Sequence, residues 1–420
     1  MIVSLPYGRT HVGIEVPDGA ELIEPLRVRG LPDERRTAHD AFRAPLGSPS
    51  LRDIVSRGDR VAIVISDATR PLPSERIIPW ILEELDFLPP DAVTVIVGVG
   101  SHRPSSETEL GELTGGAASL GVRCVNHNAF DNLMLARAGR LGSGIDIFLN
   151  RLYCEATVRI TVGFIEPHFF AGFSGGPKAV MPGIAGIEEI RRFHGAAMID
   201  HPLAESGVLE GNPVYEMAAE SALLRRPDFS INVTLNMERE ITRFFCGDLI
   251  GAHRAGAEFT AAHSRHSCDG PFDIVITSNA GHPLDRNLYQ AVKGINAAAS
   301  IVKKGGSIIC AARCEEGVPD NGDFCEILGM APSPGELLKM IRDPGFSRIE
   351  QWQAQKLAAV LTRAAVHLYS GLSEGTVTKA HMIPCGDVTE TLDSVMKKNR
   401  DARVAVLRYG PMSIPYLSNT

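Results

Sequence analysis

Arginine, histidine and lysine recur just past the apolar runs of this chain. Asp67-Ala68-Thr69-Arg70-Pro71 follows the run 61–66, and Ser101-His102-Arg103-Pro104 follows 93–100. Glu166-Pro167-His168 follows 159–165. Asn279-Ala280-Gly281 follows 273–278, with Tyr289, Gln290 and Lys293 on the amphipathic stretch beyond. In doubly wound sheets ligands bind beyond the carboxyl ends of the strands, so these segments would meet in one crevice. Their chemistry is coherent. Histidine gives and takes protons near neutrality, while arginine and lysine hold a carboxylate or phosphate. Each residue alone reads as an ordinary loop charge or a hydrogen-bonded histidine. Together they read as acid–base groups beside an anion clamp.

A second signal is the loop 171–183, which holds Gly172, Gly175, Gly176 and Gly183 around Ser174, Pro177 and Lys178. Glycines let backbone N–H groups approach a phosphate. Lys178 is followed by Ala179 and not by Ser or Thr, so this is not a Walker A loop. On residues alone it is either a phosphate or nucleotide loop or a tight turn. Downstream, His194 closes Arg191-Arg192-Phe193-His194 and is a candidate metal ligand. Zinc chemistry elsewhere is poorly supported. Cys310 and Cys314 have ligand spacing but no second pair, and His263 and His266 lack the H-E-x-x-H pattern.

Elements that could position these groups follow from the apolar pattern. Val- and Ile-rich runs at 61–65, 92–97, 158–162, 231–235, 273–277 and 307–311 predict strands covered on both faces. Ser106 and Glu109 form a capping-box pattern ahead of Leu110 and Leu113. Apolar spacing predicts a helix over 285–302, ended by Gly305-Gly306. Pro79 predicts a late start or a kink in the helix after Ser74. Strands alternating with helices give an α/β fold of two domains, each a mostly parallel sheet flanked by helices, with the active site in the cleft between them. The expected division is 1–266 plus 400–420 for an N-terminal domain and 270–398 for a C-terminal α/β domain. The run 402–407 would be a last strand returning to the first.

The 420 residues suit two or three domains at about 150 residues each. Hydrophobic residues at 44% and charged residues at 22% exclude a disordered chain, a collagen and a coiled coil. The net charge of -8 leaves no global basic footprint for nucleic acid or an anionic membrane. No long apolar run suggests a membrane span, and the start does not read as a signal peptide. Eight scattered cysteines read as reduced thiols, and the expected location is cytoplasmic.

The stretch 163–186, GFIEPHFFAGFSGGPKAVMPGIAG, resembles the signature of the lactate racemase family, whose members carry a nickel-pincer nucleotide. Residues 67–71, 100–104 and 283–293 match that family's other blocks in the same order. The resemblance covers nearly the whole chain. It implies a pyridinium-3-thioamide-5-thiocarboxylic acid mononucleotide with nickel, tethered to Lys178 through a thioamide, with His194 as the remaining nickel ligand. Asp67, Ser174, Gly175 and Gly176 would contact the cofactor, although Asp67 could instead orient Arg70. His102 and His168 would be the acid–base pair. Arg70 and Lys293 would hold the substrate carboxylate, with Tyr289 and Gln290 lining the same pocket. The implied activity is racemisation or epimerisation of a 2-hydroxy acid by reversible proton-coupled hydride transfer. The implied partners are a small 2-hydroxy acid (lactate, malate, an aryl or a sugar acid) and the enzymes that make the cofactor. Pro177 departs from the family, where a basic residue is expected, and bears on how the cofactor phosphate is held. A pincer-dependent oxidoreductase and a phosphate- or nucleotide-binding protein without the pincer are the alternative readings.

Overall fold

The computed structural model describes residues 1–319 and 322–418. Two six-stranded sheets carry it. The first runs, in spatial order, Ile241–Gly247, Phe229–Leu235, Val158–Phe164, Val61–Ser66, Val93–Gly98 and Arg123–Asn126. All neighbours are parallel except Ile241–Gly247, which pairs antiparallel at the edge. Val61–Ser66 and Val158–Phe164 are buried along nearly their whole length, as strands between two helical layers must be. From Val61–Ser66 the chain moves outward to Arg123–Asn126, then returns to the opposite side at Val158–Phe164. That reversal makes a switch point at the carboxyl ends of these two neighbours.

The second sheet runs Ile383–Pro384, Ala365–Tyr369, Val302–Ala311, Phe272–Ser278, Val404–Leu407 and Glu21–Ile23, all parallel. Its residues alternate between two cores. Val275 and Ile308 pack with Leu288, Val292, Ile295 and Leu357 of the helices Leu288–Ala299 and Gln351–Leu361. Ile274, Ile276 and Ile309 face the other way, onto Leu5 and Ile14 of the hairpin Ile2–Tyr7/Thr10–Glu15.

The end of the chain corrects the expected division. Val404–Leu407 does not return to the first sheet. It lies between Phe272–Ser278 and Glu21–Ile23 in the second, so the early strand Glu21–Ile23 also belongs there. The helix Val388–Met396 brings the chain back across the sheet to the free side of Phe272–Ser278, the parallel position a crossover reaches. Only Ile414–Leu417 leaves it, to pair with Arg265–Cys268 at the seam.

One local expectation holds and the others shift. The capping box of Ser106 and Glu109 is formed on Glu107–Leu113. The expected 285–302 helix is shorter, Leu288–Ala299, capped by Asn287 Oδ1 accepting from the Gln290 N–H at 3.1 Å. Gly305 and Gly306 fall inside the strand Val302–Ala311, where the register slips and Gly305 takes a φ of 81°. Ser300 ends the helix instead, its hydroxyl donating to the carbonyls of Ala297 and Pro415. The helix Ser74–Glu84 starts on time and runs through Pro79. No described helix is long and apolar enough to cross a membrane.

Leu5 is fully buried between the hairpin and the second sheet. Leu5→Ala is expected to cost about 2–5 kcal/mol, read as a lower urea midpoint with an unchanged slope.

Candidate active site

A cavity lies against the carboxyl ends of both central strands of the first sheet, and the second sheet's helices close it. Asp67, Arg70, His102, His168, Lys178 and His194 line it from the first sheet, and Tyr289, Gln290, Lys293 and Trp352 from the second. The segments expected to meet do meet here.

His102 and His168 are held differently. The Nδ1–H of His102 donates to Asp67 Oδ2 at 2.7 Å, which leaves Nε2 as the free base. Asp67 is fixed in turn by Thr69, whose hydroxyl and N–H both donate to Oδ1. Burial pushes the Asp67 carboxyl up, but His102, Thr69 and Arg70 outweigh it and hold it at about 2. Asp67 therefore orients His102, while Arg70 takes Glu166 at 3.4 Å. His168 accepts the Ala171 N–H at Nδ1, so in its neutral form the ring hydrogen sits on Nε2. Burial first, then Lys178, Arg70, Lys293 and His194, hold His168 well below the usual imidazole range.

Lys178 sits in the short turn Gly176–Ala179, with its Nζ 5.6 Å from the Phe170 ring centre and 5.2 Å from that of Phe193. Burial, then Arg70 and Lys293, bring its ammonium down to about 7, against the pull of Glu166. A substantial fraction is then free amine near neutrality, the form that attacks a carbonyl carbon. His194 follows the helix Ile187–Phe193, and its Nδ1–H donates to the Ile190 carbonyl at 2.9 Å. Its ring stacks on Trp352 with centres 4.1 Å apart. Burial and Lys178 keep it neutral. Its Nε2 has no hydrogen-bond partner among the described residues, so a lone pair is left for a metal ion.

Sequence profiles of the lactate racemase N-terminal domain and C-terminal domain match residues 7–207 and 268–414. The chain belongs to the lactate racemase family. It is 34% identical over 404 residues to the lactate racemase of Lactiplantibacillus plantarum, covering 94% of each chain. It is 32% identical over 426 residues to that of Thermoanaerobacterium thermosaccharolyticum, covering 97% of each. The lactate racemase apoprotein structure from the latter organism superposes with a TM-score of 0.91 over 99% of this chain and 100% of that one. A Thermotoga maritima protein, 19% identical with a TM-score of 0.70 over 93% of this chain and 100% of its own, shares the fold.

Within this lactate racemase fold the glycine-rich loop uses its polar groups internally. The Ser174 hydroxyl donates to the Phe164 carbonyl and accepts the Glu166 N–H, and the Gly176 N–H donates to Asn232 Oδ1 at 2.8 Å. What Gly175 and Gly176 contribute is the absence of a side chain. Both have positive φ, and a Cβ on Gly176 would stand 2.4 Å from the His253 ring. Pro177 fixes the backbone just before Lys178 and presents no N–H.

Two buried histidines brace this loop. His253 donates from Nε2 to the Ser174 carbonyl and His127 donates from Nε2 to the Ala185 carbonyl, each at 2.9 Å. Burial lowers both rings to about 4. Neither was legible as functional, nor was Trp352 or Asn232. They come from distant segments with no local pattern. Glu166 stood inside a quoted segment, but nothing in its neighbours showed that it pairs with Arg70.

Amine-selective acylation followed by mass spectrometry should modify Lys178 with a pH midpoint near 7. Lys293→Met should move that midpoint upward. Acid should loosen the braces. Between pH about 6.5 and 4 the unfolded chain binds protons that folded His127 and His253 refuse, so stability falls as pH falls. Each ring contributes about 1.4 kcal/mol per pH unit over that window, read from urea midpoints. A flat profile there would contradict the neutral-histidine braces.

Proposed function

We propose that the chain is a cytoplasmic racemase of 2-hydroxy acids, with lactate the first substrate to try. The reading includes a nickel-pincer nucleotide tethered to Lys178, with His194 as the protein ligand to nickel. The carrying observation is that two differently polarised imidazoles, a guanidinium and a lysine share one cavity with Lys178 and His194.

The residues suit such a group. Lys178 offers an amine for a thioamide link, and His194 offers one lone pair on a ring locked from both sides. Imidazole is a fitting ligand for nickel. Gly98, Gly163, Gly175 and Gly183 leave the wall free of side chains. When bound, the group supplies a two-electron acceptor for the substrate's α-hydrogen, which avoids an unstable carbanion.

The chain's own groups do the rest. Arg70 offers a planar fork to the substrate carboxylate, and Lys293 offers a point charge. Lys293 Nζ and Gln290 Oε1 are buried without a partner among the described residues, so an incoming anion and hydroxyl would satisfy both. His102 Nε2 takes the hydroxyl proton, and the Asp67 carboxylate stabilises the imidazolium that forms. Racemisation needs a second acid–base group for the other hand of substrate, and His168 is that group. Its protonation is now opposed by Lys178, Arg70 and Lys293. A carboxylate between Arg70 and Lys293, and loss of the Lys178 charge on tethering, would both raise its affinity for a proton. Phe169, Phe170 and Trp352 line the cavity and keep water from the keto acid.

Co-expression with the pincer-making enzymes should give a nucleotide-sized adduct on Lys178, near-stoichiometric nickel, and interconversion of D- and L-lactate. Absence of adduct and nickel, with a known lactate racemase loading in parallel, would overturn the reading. Net accumulation of keto acid would point instead to an oxidoreductase. In the loaded enzyme, His102→Ala and His168→Ala should each lower kcat by about 10²- to 10⁴-fold, whereas Arg70→Ala should chiefly raise KM.

A further inference from the structure

The polar stretch around residues 263–270 plays no part in the cavity, yet it gathers a second set of chemically distinctive groups. The strand Arg265–Cys268 sends alternate side chains to the same face, so His266 and Cys268 share one side. Glu21, the first residue of the edge strand Glu21–Ile23, stands beside them. One oxygen, one ring nitrogen and one sulfur from these three residues all lie within 4.8 Å of one another. Among the described residues no other three His, Cys, Asp or Glu donors come so close together. Glu21 Oε1 is 3.2 Å from His266 Nε2. Cys268 is fully buried, whereas the side chains of His266 and Glu21 are 34% and 33% exposed. The sulfur closes the site from the interior and the other two donors open it to solvent, which leaves an entry path.

We propose that Glu21, His266 and Cys268 form a binding site for a divalent transition-metal ion of the zinc type, separate from the Lys178–His194 cavity. The donor set is carboxylate, imidazole and thiolate, each a common zinc ligand, and solvent takes the fourth position. The charges balance, since one thiolate and one carboxylate offset a dication and the imidazole is neutral. The nearby cation Arg403 does not compete for Glu21, because it pairs with Asp269 and lies over the Phe272 ring.

The scaffold is rigid on both sides. Arg265–Cys268 pairs in parallel with Ile414–Leu417, and the Cys268 carbonyl accepts both the N–H and the hydroxyl of Ser418 at 2.8 Å. Glu21 is held opposite Ala405 in the second sheet. The position explains what an ion would do. The chain passes between the two sheets along residues 24–30 and again along 264–270, and the Leu26 N–H donates to the His263 carbonyl across these passages at 2.7 Å. Glu21 stands in the strand just before the first passage, and His266 and Cys268 lie on the second. A bound ion would therefore tie the second passage to the edge strand of the second sheet.

Cobalt(II) titration of the chelator-treated full chain tests this, in a His194→Ala background that silences the cofactor-site imidazole. One equivalent should bind with intense visible bands and a near-ultraviolet thiolate-to-cobalt charge-transfer band. Zinc should displace it and raise the melting temperature. Cys268→Ser should abolish the charge-transfer band. Glu21→Gln and His266→Asn, at part-exposed positions that folding tolerates, should each weaken binding at least about tenfold. No binding, a band that survives Cys268→Ser, or affinity indifferent to Glu21→Gln and His266→Asn would overturn the proposal and leave a Glu21–His266 ion pair beside a core cysteine.

Discussion

The Arg70 guanidinium lies in a largely buried cavity, where Glu166 is its one ion-pair partner among the described residues. The other ionisable groups adjust to that fixed charge. Lys178 and Lys293 are both pushed downward by burial first and by Arg70 next. His168 is held neutral by burial and by the same three cations. Three basic groups face two carboxylates, one of them (Asp67) committed to His102 and the other (Glu166) to Arg70, so Lys178 and Lys293 are left without a counter-charge and the cavity is receptive to an anion. An anion bound there would settle the imbalance, as would any modification that removed the Lys178 charge. A lysine poised as a nucleophile and a cavity that favours a carboxylate are thus two outcomes of one charge distribution.

That distribution exists because the two sheets deliver their carboxyl ends to the same place. The switch point of the first sheet brings Asp67 and Glu166 together from neighbouring strands, and the helix after Phe272–Ser278 brings Tyr289, Gln290 and Lys293. Asn287 caps that helix and sets the angle at which Gln290 and Lys293 enter. Beneath the loop, Asn232 and His253 fix Gly176 and Ser174, which aims Lys178.

Most of the fold and much of the site could be read from residue order. Six buried runs predicted six strands because a strand covered on both faces needs an unbroken apolar run, and that signal is local. The strand-end residues Arg70, His102, His168 and Lys293 were legible for a similar reason, since a parallel sheet fixes where strand ends go. The destination of Val404–Leu407 was not legible, because an apolar run does not say which of two sheets it joins. The glycine pair at 305–306 misled, since glycine also serves a bulge inside a strand. Asp67 was assigned to Arg70 or the cofactor, but its partner His102 is thirty-five positions away, and pairing at that distance is decided by register between Val61–Ser66 and Val93–Gly98.

Trp352, from the second half, covers the His194 ring and donates its indole N–H to the Tyr289 hydroxyl at 2.9 Å. Further along the same helix, Gln355 donates to the Ala196 carbonyl and Lys356 to that of Ala204, while Arg342 pairs with Asp200. These contacts fasten the second half to the segment just after His194. Separating the halves would strip the stack from His194 and expose the cations to water, where their mutual effect on Lys178 and His168 weakens. The contact between the halves and the charge state of the cavity are therefore linked. Burial supported by Trp352 and its neighbours favours both a lowered Lys178 ammonium and a neutral His194 ring.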